Sequence, residues 1–371
     1  MWYNRSRKEI FMKTYRETTN ERVIDKIFDL TDDMPAYVQR FANEYLVTLN
    51  KAPRTVLGYV GDIRMFYQFL EKERGLQPKK VSVETLSSLT ADDIQDYMSY
   101  LVHYKRTDPN SGKVLRGSNG VPSRARKLSS LRALYRYLIG HGYLEKNVAE
   151  LVPMPKPEEK SVIYLNKEEV RDVLHGAETG DALTKGELKI SKKLQRRDIA
   201  ILTLLLNTGI RVSEMVGIDL RDINWREKSI RVFRKGRKDQ RVYFNSQVEE
   251  ALRDYIDNGR AVPMDEDDMA ALFISRKGNR MSVRAVERLV KKYTKSTVPN
   301  AGRITPHKLR STYATNLYEE TGDIYMTADA LGHKSLETVK KYTNLSDERR
   351  RQAAKAIESA YYDTADGGPV E

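Results

Sequence analysis

The chain has 371 residues, 40% of them apolar, and no cysteine; its length predicts two domains, and the missing thiols exclude disulfides and cysteine-ligated metal. Lys and Arg outnumber Asp and Glu by 65 to 52, a net +13, which points to a polyanionic partner, nucleic acid before anionic membrane. No apolar run approaches the roughly 18 residues of a membrane span, and the N-terminus MWYNRSRKEIFMK lacks an apolar signal core, so a cytoplasmic protein without membrane attachment is expected.

Residues 1–33 mix charges of both signs around Ile10, Phe11, Ile24, Ile27 and Phe28. They predict a helical N-terminal extension that ends at the turn-like Asp32-Asp33-Met34-Pro35. Residues 34–151 read as a compact helical domain. Phe41, Tyr45 and Leu49 fall at i, i+4, i+8, and Val56, Val60, Ile63, Tyr67 and Leu70 form a second stripe after Pro53. Thr90-Ala91-Asp92-Asp93 has capping-box form and opens a helix through Ile94, Tyr97, Met98 and Leu101. A polar loop is expected from Thr107 to Pro122, then a helix carrying Leu128, Leu131, Tyr135 and Leu138.

The stretch VPMPKPEEK places three prolines in five residues, a stiff linker over 152–161. The second domain, 162–361, restarts helix at Asn166 with Glu169. Glu178 to Gln195 reads as a polar loop with room for a short helix, and IAILTLLLNTGI as a buried helix ending at Gly209. The period then changes: Ile230, Val232, Val242 and Phe244 alternate on either side of a Lys-Gly-Arg-Lys turn, which reads as a hairpin. Helices resume from Gln247, interrupted at 257–268 and 275–281, and residues 362–371 form a disordered tail. The fold class is mostly α, a helical domain followed by a mixed α/β domain with a small antiparallel sheet.

Several polar residues carry more chemistry than this frame requires. Arg211 and Glu214 stand three apart directly after a buried helix, on one face if helical. Lys235 sits at the hairpin tip. In TPHKLRSTYAT, Thr305 suits an N-cap and Pro306 the N1 position, which puts His307 and Arg310 one turn apart at a helix start. Cations there oppose the helix dipole unless an anion visits. LGHKSLETVKKYTNLS adds His333 and Tyr342. Each feature alone has an ordinary explanation: a surface ion pair, a solvated turn, a chance His-x-x-Arg, a tyrosine on a helix edge. Together, two arginines and a histidine can grip phosphate oxygens, a lysine can protonate a leaving alkoxide, and a tyrosine can attack a phosphodiester.

The motifs TGIRVSE, KGRKDQR, TPHKLRSTYATNL and LGHKSLETVKKYTNLS, in that order, resemble the tyrosine recombinases, the phage-integrase family that includes Xer-type recombinases and mobile-element integrases. APRTVLGYVGDIRMFYQFL and SRARKLSSLRALYRYL resemble the SAM-like core-binding domain of that family. The resemblance implies a tyrosine-recombinase fold and a site-specific recombinase that cuts and rejoins DNA through a 3′-phosphotyrosyl intermediate. It implies Tyr342 as nucleophile, Arg211, Arg310 and His333 on the non-bridging oxygens, and Lys235 as general acid. His307 assists proton transfer and Glu214 supports Arg211. No metal, ATP or other cofactor is implied. The partners are double-stranded DNA at specific sites and three further copies, a tetramer on two sites in which a C-terminal helix (SDERRRQAAKAIESAYY) is exchanged between protomers.

Arg54, Arg64, Arg124, Arg126, Lys127 and Arg132 in the first domain, with Arg237, Lys238, Arg276, Lys277 and Arg280 in the second, are expected DNA contacts, each equally readable as a solvated face. The chain departs from the family pattern at Ser311, where a histidine is common, and in the longer segments 1–33, 178–195 and before Pro122. These tilt the expectation toward integration, excision or inversion of mobile DNA, with Xer-type chromosome dimer resolution or a non-catalytic DNA-binding protein as alternatives. A type IB-like topoisomerase would use similar residues.

Overall fold

The computed structural model describes residues 14–107, 112–156, 162–181, 183–234, 239–295, 304–332, 336, 337 and 339. The chain divides into two compact units, residues 1–159 and 160–371.

In the first unit, α1 (Tyr15–Thr31) opens on a Thr14–Glu17 capping box. Its apolar face is part of the core rather than an appendage: Ile27 is fully buried, with Val23 and Leu30 packed beside it. The 23, 27, 30 spacing is one helical stripe. Then come α2 (Ala36–Asn43), α3 (Pro53–Arg74), α4 (Val83–Ser88), α5 (Ala91–Tyr100), α6 (Val121–Gly140) and α7 (Val148–Leu151). The Thr90–Asp93 capping box forms as the sequence predicts. The stripes Val56–Leu70 and Leu128–Leu138 are buried, and so is Phe41, but Leu49 is exposed. A π-turn over Glu44–Thr48, closed by the Leu49 amide on the Glu44 carbonyl, adds a residue to the turn and rotates Leu49 off the face.

The expected polar loop Thr107–Pro122 contains a hairpin instead. β1 (Tyr104–Thr107) pairs antiparallel with β2 (Val114–Gly117). The strands read YKRT and VLRG, so no apolar and polar alternation marks them, and the Tyr104 ring covers Gly117 where any side chain would collide. Val152 and Met154, at the start of the proline-rich stretch, pack onto the first unit's core.

In the second unit, α8 (Lys167–Thr179) begins at the expected Asn166–Glu169 box. The loop expected over Glu178–Gln195 is mostly helix: α9 (Lys185–Thr208) starts from a Thr184–Glu187 capping box and runs on into the buried segment. α9 packs against α8 and later against α11 (Ser246–Asn258) and α13 (Pro306–Thr321). Between them lie the short α10 (Val212–Met215) and an antiparallel sheet of β3 (Ile223–Asn224), β4 (Ser229–Phe233) and β5 (Asp239–Tyr243), in that order. Ile230 faces Val242 and Val232 faces Gln240, the expected hairpin. α12 (Val283–Thr294) and α14 (Ile324–Leu331) complete the unit. Among the described residues no helix is long and apolar enough to cross a membrane.

Candidate active site

The site is built where α9 stops. Gly209 terminates the helix in a left-handed conformation (φ 58°), and the Tyr313 ring stands 2.4 Å from where a Cβ would be. Only glycine meets both conditions. Two residues later Arg211 is the N-cap of α10. Glu214 closes the turn: Oε2 accepts the Arg211 backbone N–H at 3.2 Å, and Oε1 accepts its Nη1 at 2.8 Å. Glu214 is buried, at 6% exposure, while Arg211 keeps 39% of its side chain open.

Arg310 arrives from the first turn of α13, whose N1 residue is Pro306 as expected. Thr305 is the N-cap by backbone but makes no side-chain cap bond. The Arg310 guanidinium is 3% exposed. Its Nη1 donates to the Gly209 carbonyl at 2.5 Å and its Nη2 to the Leu331 carbonyl at 2.6 Å. Both acceptors are helix-end carbonyls, of α9 and α14, where a cation is electrostatically favoured. One buried fork therefore fixes the turn leading to Arg211 and the turn leading toward residue 333. His307 is exposed one turn before Arg310, and its carbonyl accepts from Ser311 Oγ at 3.3 Å.

Three residues at this site escape the sequence reading. Arg234 follows β4 in phase with its inward face: Ile230, Val232 and Arg234 are 0%, 2% and 8% exposed. That period of two was the available signal. Its Nη1 donates to Gln240 Oε1 at 2.6 Å, and its Nε lies 3.6 Å from Glu214 Oε1. Burial pushes the Arg234 pKa down, against the opposing pull of the Glu214 carboxylate. Gly332, left-handed at φ 61°, lies against the same guanidinium, with Nη1 occupying the place of any side chain at 332.

Lys235, Arg237, Lys238, His333 and Tyr342 lie outside the described residues, as do the C-terminal helix over 346–362 and the tail 362–371. The expected DNA contacts divide sharply. Arg54, Arg126, Arg276 and Lys277 are exposed, and Arg124 is half-buried. Lys127 is not a surface cation. It is buried against Asp62 at 2.8 Å, a carboxylate that also accepts from Ser130 Oγ at 2.9 Å and pairs with Arg126 at 2.5 Å. Arg132 donates to the Ala149 and Val152 carbonyls and so fastens α6 to the chain after it. Arg280 is likewise turned inward, to the Val216 and Ile218 carbonyls and to Asp219 Oδ1 at 2.6 Å. Arg64 bonds the Leu30 carbonyl and Asp33, which secures α1 to α3.

Comparison with known proteins places both units of the chain in one family. The phage integrase family model matches residues 164–349, and the phage integrase N-terminal SAM-like domain matches 38–142. Tyrosine recombinase XerC of Caldanaerobacter subterraneus subsp. tengcongensis is 31% identical over 332 residues, covering 86% of each chain. Tyrosine recombinase XerS of Streptococcus mutans is 30% identical over 356 residues, covering 90% of this chain and 98% of its own. Two solved structures share the fold. One is the Tn1549 transposon integrase in complex with circular intermediate DNA (19% identity, TM-score 0.60, 87% of this chain and 99% of that one). The other is XerH bound to palindromic difH substrate, a post-cleavage complex (18%, 0.60, 83% and 81%). The chain belongs to the phage integrase family and is a tyrosine recombinase.

Proposed function

We propose that this protein cuts and rejoins DNA at specific sites with Tyr342 as the nucleophile. The observation that carries the reading is the gathering of Arg211, Glu214 and Arg310 at the single turn that ends α9. In the proposed step Tyr342 Oη bonds to the scissile phosphorus and the bond from phosphorus to the 5′ oxygen breaks. Lys235 gives that oxygen its proton, and His307 assists removal of the tyrosine proton. Arg211, Arg310 and His333 hold the non-bridging oxygens as charge builds on them. The phosphotyrosyl ester keeps the bond energy, so a 5′-hydroxyl from another strand reseals it.

The DNA partner follows from the same reading, as do a homo-tetramer on two sites and exchange of the C-terminal helix. Integration, excision or inversion of mobile DNA is the proposed role. Chromosome dimer resolution is the second reading, and one observation favours it. The XerS alignment spans 98% of that relative and 90% of this chain, so the extra length here does not by itself set the chain apart from Xer proteins.

The test is a nicked DNA substrate bearing the flanking genomic sequence, incubated with wild type or Tyr342→Phe and resolved on a denaturing gel. A covalent adduct with wild type, absent in Tyr342→Phe, is expected. Binding by both without an adduct would reduce the protein to a DNA-binding role, and an adduct with both would remove Tyr342 as the nucleophile.

A further inference from the structure

We propose that Arg234 is a positioning residue of the phosphate site, acting on Arg211 through Glu214; the inference rests on the reading of the site given above. The register of β4 calls for an apolar residue at 234, as at Ile230 and Val232. A guanidinium stands there instead, and burying a charge without return is unfavourable. Its surroundings are specific. One arm is held by Gln240 Oε1 at 2.6 Å, across the hairpin, and Nε faces Glu214 Oε1 at 3.6 Å. That oxygen is the one that accepts from Arg211 Nη1 at 2.8 Å. Two arginines therefore flank one carboxylate oxygen, Arg211 through a hydrogen bond and Arg234 as an ion pair at 3.6 Å.

This arrangement has an electrostatic consequence. If Glu214 paired with Arg211 alone, its charge would largely cancel that of the guanidinium meant for phosphate. With Arg234 drawing on the same oxygen, Glu214 still orients Arg211 but neutralises it less, and more positive potential reaches the half-open side of the site. Arg234 also fills the space over Gly332, so the same side chain backs the turn that precedes residue 333. A lysine at 234 supplies the charge without the planar fork that reaches Gln240 and Glu214 together.

Arg234→Gln and Arg234→Lys, beside wild type, are compared in single-turnover cleavage of two substrates. One has the natural scissile phosphodiester; the other has a methylphosphonate there, uncharged because a methyl replaces one non-bridging oxygen. DNA affinity and thermal melting are measured in parallel. On the phosphodiester, Arg234→Gln is expected to cleave about 10- to 100-fold more slowly with DNA affinity unchanged, and Arg234→Lys to fall between it and wild type. On the methylphosphonate the deficit should shrink to a few-fold, because one of the two negative charges that the phosphodiester carries in the transition state is missing. A merely structural role would slow both substrates equally. Equal deficits, or a wild-type rate on the phosphodiester, overturn the inference. Should Arg234→Gln not fold, the same ratio for Arg234→Lys decides it. A wild-type protein that forms no adduct on the phosphodiester removes the site reading and the inference with it; a wild-type adduct with unchanged Arg234 variants removes the inference alone.

Discussion

Asp62 in the first unit and Glu214 in the second are both buried carboxylates, 2% and 6% exposed, and each meets two cationic side chains. Around Asp62 the inner partner is a lysine at 8% exposure, a serine hydroxyl takes a further lone pair, and Arg126 lies over the pair at the surface. Charge is balanced inside, and α3 is bolted to α6. Around Glu214 both partners are guanidiniums. One of them, Arg211, stays 39% open, and Arg310 sits at the same turn on two helix-end carbonyls. Burial of charge alone therefore does not mark a functional site. The direction in which the cations are left open does, because an anion can complete the second arrangement and has no place in the first.

The largest way to break the comparison is at Arg310. Arg310→Ala is expected to lower single-turnover adduct formation by about 10²- to 10³-fold or more. Arg310→Lys should rescue little, since an ammonium cannot donate in two fixed directions to the Gly209 and Leu331 carbonyls. Near-wild-type cleavage by Arg310→Lys would show that charge alone suffices and that the fork is dispensable.

The next largest effect belongs to the other centre and should appear in stability, not chemistry. Asp62→Ala leaves Lys127 buried without its carboxylate, at an expected loss of about 3–5 kcal/mol in denaturant unfolding. The double change Asp62→Ala/Lys127→Met should recover most of that loss, because removing both charges is far less costly than stranding one. Glu214→Ala should instead slow cleavage more than it lowers the unfolding midpoint. If the two carboxylates respond alike, the distinction between fastener and site fails.

The same contrast explains what the sequence discloses. Local rules were readable: the Thr90–Asp93 and Asn166–Glu169 boxes, the stop at Gly209, the alternation of β4 and β5, and the pairing of Arg211 with Glu214 all depend on residues within a few positions of one another. The start of α9 was readable too, since Thr184 and Glu187 form a capping box, but the density of polar residues after it masked the signal. Lys127 could not be placed, because its partner lies 65 residues earlier in the chain and a lysine in isolation reads as solvated. Arg280 has the same difficulty, its acceptors lying more than 60 positions away. Arg234 lay between these cases: its phase was local, but the reason for a charge in that phase was not.

The smallest effect separates outward from inward cations among the proposed DNA contacts. Arg276 and Lys277 are exposed on the turn that Ser275 and Asn279 close by a 2.7 Å backbone bond, and with Arg288 they line an open groove. Each cation that neutralises a phosphate releases a counterion, so each contact adds roughly 0.9 to the slope of log K against log salt concentration. Replacing both Arg276 and Lys277 by Ala should lower that slope by about 1.8 if both touch phosphate. Lys127→Met should leave the slope unchanged while lowering the unfolding midpoint, because its charge is spent on Asp62 whether or not DNA is bound. A slope that falls for Lys127→Met would mean that the pair opens on binding and that the first centre, too, presents its cation to a phosphate.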